Sequence, residues 1–284
     1  MRLVSFSTED GPAAGVKIGE ELVPVAALDA PARTVRGLLE ALDADGLGEL
    51  ARRAGETSER IALSDVSLHA PVKDPQKIVC LGLNYRDHAE ETGQEIPTAP
   101  MWFAKFANSL IGSGSEIVLP GAYAEHVDYE AELALVIGRR AKNVSAEKAL
   151  EHIAGAMPFN DVSARDLQMQ NPLWTSGKAI DTFAPCGPAL VTLEEIDDLG
   201  ALGLRTRVNR EVVQEGSTEN LIFGPAEVVA WLSRTITLLP GDIIATGTPA
   251  GIGAAQGRFL RDGDRVEVEV DGLGAVVNTV RSES

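Results

Sequence analysis

The amino-acid sequence predicts a mostly β fold with a few helices, an α+β arrangement, and three observations carry that reading. From about residue 71 onward the chain is a series of short β-like runs separated by Gly, Pro and Asn turns. These runs do not alternate regularly with helical stretches, which argues against a doubly wound parallel sheet. No internal repeat or low-complexity tract breaks the pattern.

Taken in order, residues 1–70 read as a small N-terminal α/β module. It has a strand-like start, a Gly-containing turn and a Leu-rich amphipathic helix through Val35, Leu38, Leu39 and Leu42. Ala70-Pro71-Val72-Lys73-Asp74-Pro75 is a proline-bracketed linker, and residues 71–284 form the second unit. Strands are predicted near 77–82, 101–105, 116–119, 130–137, 204–208, 243–246, 265–270 and 275–280. Two helices interrupt them. Ser145 is the expected N-cap of 146–154, with Glu147 in its acidic first turn and Gly155 as its stop. Pro225 opens the other, at 226–235.

At 284 residues the chain is long enough to bury a real core. Its 42 Asp and Glu against 25 Lys and Arg give a net charge of −17, which repels phosphate backbones and anionic membrane surfaces and argues against a nucleic-acid partner. No apolar run reaches about 18 residues, and the N-terminal residues lack the basic-then-apolar layout of a signal peptide. A cytoplasmic protein without a membrane partner is expected. The two cysteines, Cys80 and Cys186, lack the paired spacing of a zinc site and read as buried free thiols. His69, His88, His126 and His152 are scattered, so any metal should sit among oxygen ligands.

Such ligands are at hand. Glu130 and Glu132 stand at i and i+2 of a predicted strand, which puts both carboxylates on one face. Glu267 and Glu269 have the same spacing within a perfectly alternating run and read as solvent-facing. After Glu132, by contrast, Leu133 to Ile137 form a continuous apolar run, as in a strand covered on both faces. Burying two carboxylates there costs several kcal/mol unless a cation or donors compensate them. Spacing alone leaves a hydrogen-bonded or exposed pair as an equal alternative. Asp161, at the end of a further apolar run from Ile153, would complete a triad suited to Mg2+ or Mn2+.

Other segments are weaker when taken singly. His88 and Glu91 are three apart and share a helical face, an arrangement that can tune a general base but is also common on solvated helices. Lys178 lies beside turn-forming residues, where a surface lysine is the ordinary reading. The Gly/Thr/Pro loop after residue 246 offers amides and hydroxyls to a carboxylate, and it carries no nucleotide-binding fingerprint.

Together and in this order, the segments resemble the catalytic domain of the fumarylacetoacetate hydrolase superfamily over about residues 76–281. They are Asn84-Tyr85-x-x-His88-x-x-Glu91, Asp128-Tyr129-Glu130-x-Glu132-Leu133, Asn160-Asp161-Val162-Ser163-Ala164-Arg165-Asp166, Lys178-x-x-Asp181-Thr182-Phe183 and Thr246-Gly247-Thr248-Pro249-x-Gly251. The resemblance implies mixed β-sheets rolled around the site, a β-clip-like sandwich, usually in a homodimer. It implies that Glu130, Glu132 and Asp161 bind the metal, that His88 and Glu91 activate water from a mobile lid, and that Lys178 contacts a developing enolate. Tyr85, Arg165, Gln168 and Thr248 would line the substrate pocket. With its short N-terminal module the chain resembles the small bacterial members rather than fumarylacetoacetase proper.

The implied activity is metal-dependent hydrolysis of a C–C bond in an acylpyruvate or related 2,4-diketo acid, through a metal-bound enolate. The alternatives are an oxaloacetate decarboxylase and an isomerase of the 2-hydroxymuconate or 2-hydroxyhepta-2,4-diene-1,7-dioate type. A non-catalytic binding protein ranks last, since an idle site has no reason to keep three buried carboxylates.

Overall fold

The computed structural model describes residues 1–283 and has the mixed α+β architecture that the sequence predicts. Two sheets dominate. Eleven strands form the larger one, whose main path runs Ile61–Ala62, Glu21–Pro24, Gly11–Ile18, Arg2–Thr8, Leu190–Thr192, Ile153–Asn160, Ala131–Ile137, Ile243–Ala245, Ile78–Gly82, Met101–Lys105. The smaller runs Glu211–Ser217, Gly203–Val208, Arg265–Val270, Gly274–Ser282, Glu116–Leu119. No helix among the described residues is long and apolar enough to cross a membrane.

The strand Ala131–Ile137 explains how the sheet is covered. Its residues are all buried, and successive side chains point to opposite faces. Leu133, Leu135 and Ile137 join Leu204, Val268 and Val276 of the smaller sheet and Val228, Val229 and Leu232 of the helix Pro225–Thr235. Ala134 and Val136 face the other way, into a cluster with Leu38, Leu39 and Leu50 from the N-terminal helices. A continuous apolar run is what such two-sided burial demands. Leu135→Ala is therefore expected to destabilise the fold by about 2–5 kcal/mol, measured by urea denaturation; a loss under about 1 kcal/mol would mean that the site can collapse.

All eight predicted strands are present, with ends that match or are displaced by at most two residues. Two local expectations change. The stretch 146–154 is a single turn, Ala146–Ala149, followed by a 3-10 turn, Leu150–His152, and the chain enters a strand at Ile153. Ser145 makes no side-chain cap bond to the helix backbone, and Gly155 is a strand residue rather than a helix stop. The apolar run from Ile153 wins because it pairs on both sides, with Ala131–Ile137 and Leu190–Thr192. The N-terminal region also holds a second helix, Ala44–Glu56, whose N-cap is Asp43.

Candidate metal centre and active site

Strand register assembles the acidic cluster. Ala131 pairs with Asn160 and Glu132 with Phe159, so the residue following Asn160 arrives beside Glu130. Two bonds lock the junction: Asp161 N–H donates to Glu130 O at 3.0 Å, and Glu130 N–H donates to Asn160 Oδ1 at 3.0 Å. Glu130, Glu132 and Asp161 are buried, and each offers an oxygen within 4.8 Å of the others. Glu267 and Glu269, at the same spacing, are only half-buried and pair with Arg207 across the smaller sheet.

Cations surround the cluster unevenly. Lys178 Nζ reaches Glu130 Oε2 at 2.8 Å and Asp161 Oδ2 at 2.7 Å, and it lies 5.2 Å from the centre of the Phe103 ring. Lys105 Nζ bonds Asp161 Oδ1 and, at 3.0 Å, Val162 O. Arg165 Nη1 meets Glu130 Oε1 at 2.6 Å. Burial opposes the charge on Glu130, but Lys178 and Arg165 outweigh it and hold its pKa well below the usual carboxylate range. Burial likewise opposes the charge on Lys178, and Asp161 and Glu130 outweigh it and raise its pKa. Lys105 is pulled down, by burial first and then by its neighbour Lys178 despite the opposing pull of Asp161.

Glu132 is the exception. Its Oε2 accepts the Gly247 N–H at 2.8 Å, and its Oε1 is buried without any partner. Burial, then the charges of Asp161 and Glu130, push its pKa well above the normal range. Gly247 approaches this closely because it has φ +97° and no side chain; a Cβ there would stand 2.9 Å from Asn84 Cβ. In all, four buried carboxylates, Asp128, Glu130, Glu132 and Asp161, face three largely buried cations, Lys105, Arg165 and Lys178. An unpartnered carboxylate oxygen and an excess negative charge are what a hard divalent cation relieves, and an all-oxygen donor set suits Mg2+ or Mn2+.

Beside the cluster lies a cavity of about 400 Å3. Glu130, Lys178, Arg165, Gln168, His88 and Thr248 reach its walls, together with Leu83, Phe103, Trp174 and Ile252. His88 and Glu91 sit on the short helix Arg86–Glu91, with Nδ1 to Oε2 at 3.3 Å, while the other Glu91 oxygen accepts the Gly251 N–H at 2.8 Å. The Thr248 hydroxyl donates to Ala131 O at 2.9 Å and accepts from Gln214 at 2.7 Å. Tyr85 is not brought to this cavity: it is wholly buried in the core with Val79 and Leu133, and its hydroxyl has no partner. A larger hollow of about 760 Å3, lined by residues 39–44 and 138–140 among others, includes none of Glu130, Glu132 and Asp161 in its walls.

Three features escape the sequence reading. Lys105 ends the strand Met101–Lys105 and reads as an ordinary strand lysine until the fold buries it. Trp174 packs edge-on to Phe103, with ring centroids 5.6 Å apart, and nothing local in the sequence announces it. Asp128 was within reach, because Asp128, Glu130 and Glu132 continue one i, i+2, i+4 series.

Residues 77–281 match the family described as fumarylacetoacetate (FAA) hydrolase C-terminal. The chain belongs to that family. Across 291 aligned residues it is 40% identical to the mitochondrial oxaloacetate tautomerase of Xenopus laevis, covering 99% of this chain and 90% of that protein. Among solved structures, the 5-carboxymethyl-2-hydroxymuconate delta-isomerase of Mycobacterium smegmatis superposes with a TM-score of 0.80 at 36% identity, covering 100% of both chains. The maleylpyruvate hydrolase of Sphingobium sp. SYK-6, in complex with manganese (II) ion and pyruvate, gives 0.83 at 31% identity, again covering 100% of both. This fumarylacetoacetate hydrolase family member is thus an enzyme whose relatives include tautomerases, isomerases and hydrolases, and one of them was crystallised with a divalent metal.

Proposed function

We propose that this enzyme uses a divalent cation held by Glu130, Glu132 and Asp161 to enolise a small 2-oxo acid, with keto–enol tautomerisation of an oxaloacetate-like substrate as its reaction. One observation carries the reading: His88 and Lys178, a base and a fixed cation, line a single cavity with Glu130 of the acidic cluster. A relative 40% identical over nearly the whole chain and named for oxaloacetate tautomerisation supports the substrate class.

When bound, the cation supplies Lewis-acid polarisation of the substrate's keto oxygen. Arg165 and Gln168 orient the carboxylate end. His88, fixed in orientation by Glu91, moves the proton at the carbon next to the keto group. Lys178 Nζ stabilises negative charge as it develops on oxygen, and this is worth most where it acts more strongly in the transition state than in the ground state. Leu83, Phe103, Trp174 and Ile252 limit the water that competes for that proton.

Hydrolytic cleavage of an acylpyruvate, the reaction favoured by the sequence resemblance, is the second reading. The His88–Glu91 pair supports it, because the same base can take a proton from water. Parallel assays with Mg2+, Mn2+ or EDTA separate the two. Tautomerisation predicts metal-dependent conversion of enol-oxaloacetate without pyruvate release, whereas pyruvate from acetylpyruvate would establish the hydrolase. His88→Ala is expected to slow the operating reaction by about 10²- to 10⁴-fold. A smaller effect would remove His88 from the chemistry.

Our reading also keeps the enzyme in the cytoplasm, as its composition suggests, and as a homodimer. Exposed Met101, Trp102 and Phe106 around the edge strand of the large sheet support the dimer, and light scattering would test it.

A further inference from the structure

Asp128 is wholly buried, yet it neither lines the cavity nor belongs to the acidic triad. Five donors converge on its carboxylate. Oδ2 accepts from Arg165 Nε at 2.9 Å, from Arg165 Nη2 at 2.7 Å and from Ala254 N–H at 2.9 Å. Oδ1 accepts from Tyr129 N–H and Gly253 N–H, both at 2.8 Å. The chain at residue 253 comes this close only because it has no side chain: a Cβ there would lie 2.4 Å from Asp128 Oδ1 and 2.0 Å from Arg258 O.

The forked contact fixes the guanidinium plane. Of its five N–H groups, two go to Asp128, and Nη1 faces Glu130 at 2.6 Å and Gln168 at 3.0 Å. One donor on Nη2 is left without a partner, and Arg165 lines the cavity. Without the fork, an arginine side chain has several rotamers, most of which turn that donor away. We propose that Asp128 is a positioning residue for substrate recognition. It holds Arg165 in the one orientation that presents a free N–H to the carboxylate of the 2-oxo acid, and it ties that arginine to the first residues of the short helix Gly253–Gln256. The inference rests on the reading that Arg165 binds this carboxylate.

The test measures KM and kcat for the substrate identified above and, independently of turnover, the Kd of oxalate for the Mg2+-loaded protein by calorimetry. Asp128→Asn should raise KM and the oxalate Kd by about 10- to 100-fold, as expected for loss of a charge-assisted contact, with kcat changed far less. In an Arg165→Met background the same substitution should change the oxalate Kd by less than about twofold, because residues acting through one another are not additive. Additive losses would make Asp128 a purely structural residue and overturn the proposal. If Asp128→Asn does not fold, Arg165→Lys replaces it: lysine cannot fork, so it should weaken oxalate as much as Arg165→Met, and wild-type affinity would overturn the proposal. Should Arg165→Met itself leave oxalate binding and KM unchanged, the carboxylate role of Arg165 fails, and the positioning role fails with it. Should the wild-type protein bind no oxalate even with Mg2+ supplied, the metal reading fails and the positioning role fails with it.

Discussion

Lys178→Met should lower kcat by about 10²- to 10³-fold, the usual effect of removing a fixed group that stabilises charge developing in a transition state. The geometry adds a second, opposite expectation. Lys178 is bonded to Glu130 and Asp161, so its removal takes a positive charge away from two carboxylates of the cluster. A divalent cation meets less repulsion there, and the Mg2+ or Mn2+ needed to stabilise the fold should fall. Kinetics and metal-dependent melting on the same variant read both effects. Slower turnover with tighter metal binding fits a lysine that serves the reaction; slower turnover with lost metal response would make Lys178 a support for the ligands.

Glu132→Gln should act in the other direction. The glutamate is fully buried, one of its oxygens has no partner, and two like charges stand beside it. An amide of the same shape removes the repulsion, so the metal-free protein should melt at the same temperature or a few degrees higher. The metal response, however, should vanish. A wild-type site at 100 times its dissociation constant gains about 2.7 kcal/mol, worth roughly 2–4 °C per kcal/mol in a chain of this size. The experiment is a melting curve for each protein with EDTA and with millimolar Mg2+ or Mn2+. A variant that keeps the wild-type shift would take Glu132 out of the ligand set.

These two residues also mark what could be read from the sequence. Glu130 and Glu132 declare themselves through strand alternation followed by a two-sided apolar run, a pattern set by local geometry. Asp161 is separated from them by a chain reversal, yet it too follows an apolar run, and antiparallel pairing brings the two runs together. Lys105 and Trp174 are different. Lys105 is buried against Asp161 and Val162, and half-buried Trp174 packs on Phe103; both contacts join segments far apart in the chain, and no local periodicity encodes them. The stretch 146–154 failed for a related reason: capping signals are weak, and the strand pairing of Ile153–Asn160 overrides them. Tyr85 was placed by its neighbours in a motif, whereas its side chain turns into the core.

The large sheet passes without a break from Arg2–Thr8 to Leu190–Thr192, so the recognisable family region and the residues before it share one set of hydrogen bonds. The family match and the mechanics therefore draw their borders in different places. A gene fragment starting at residue 77 would keep the whole family match, yet it would leave Leu190–Thr192 as a raw edge and strip Leu38, Leu39 and Leu50 from the apolar face that Ala134 and Val136 present. Anyone transplanting this catalytic centre into another scaffold has to carry the first 70 residues along as part of the same object.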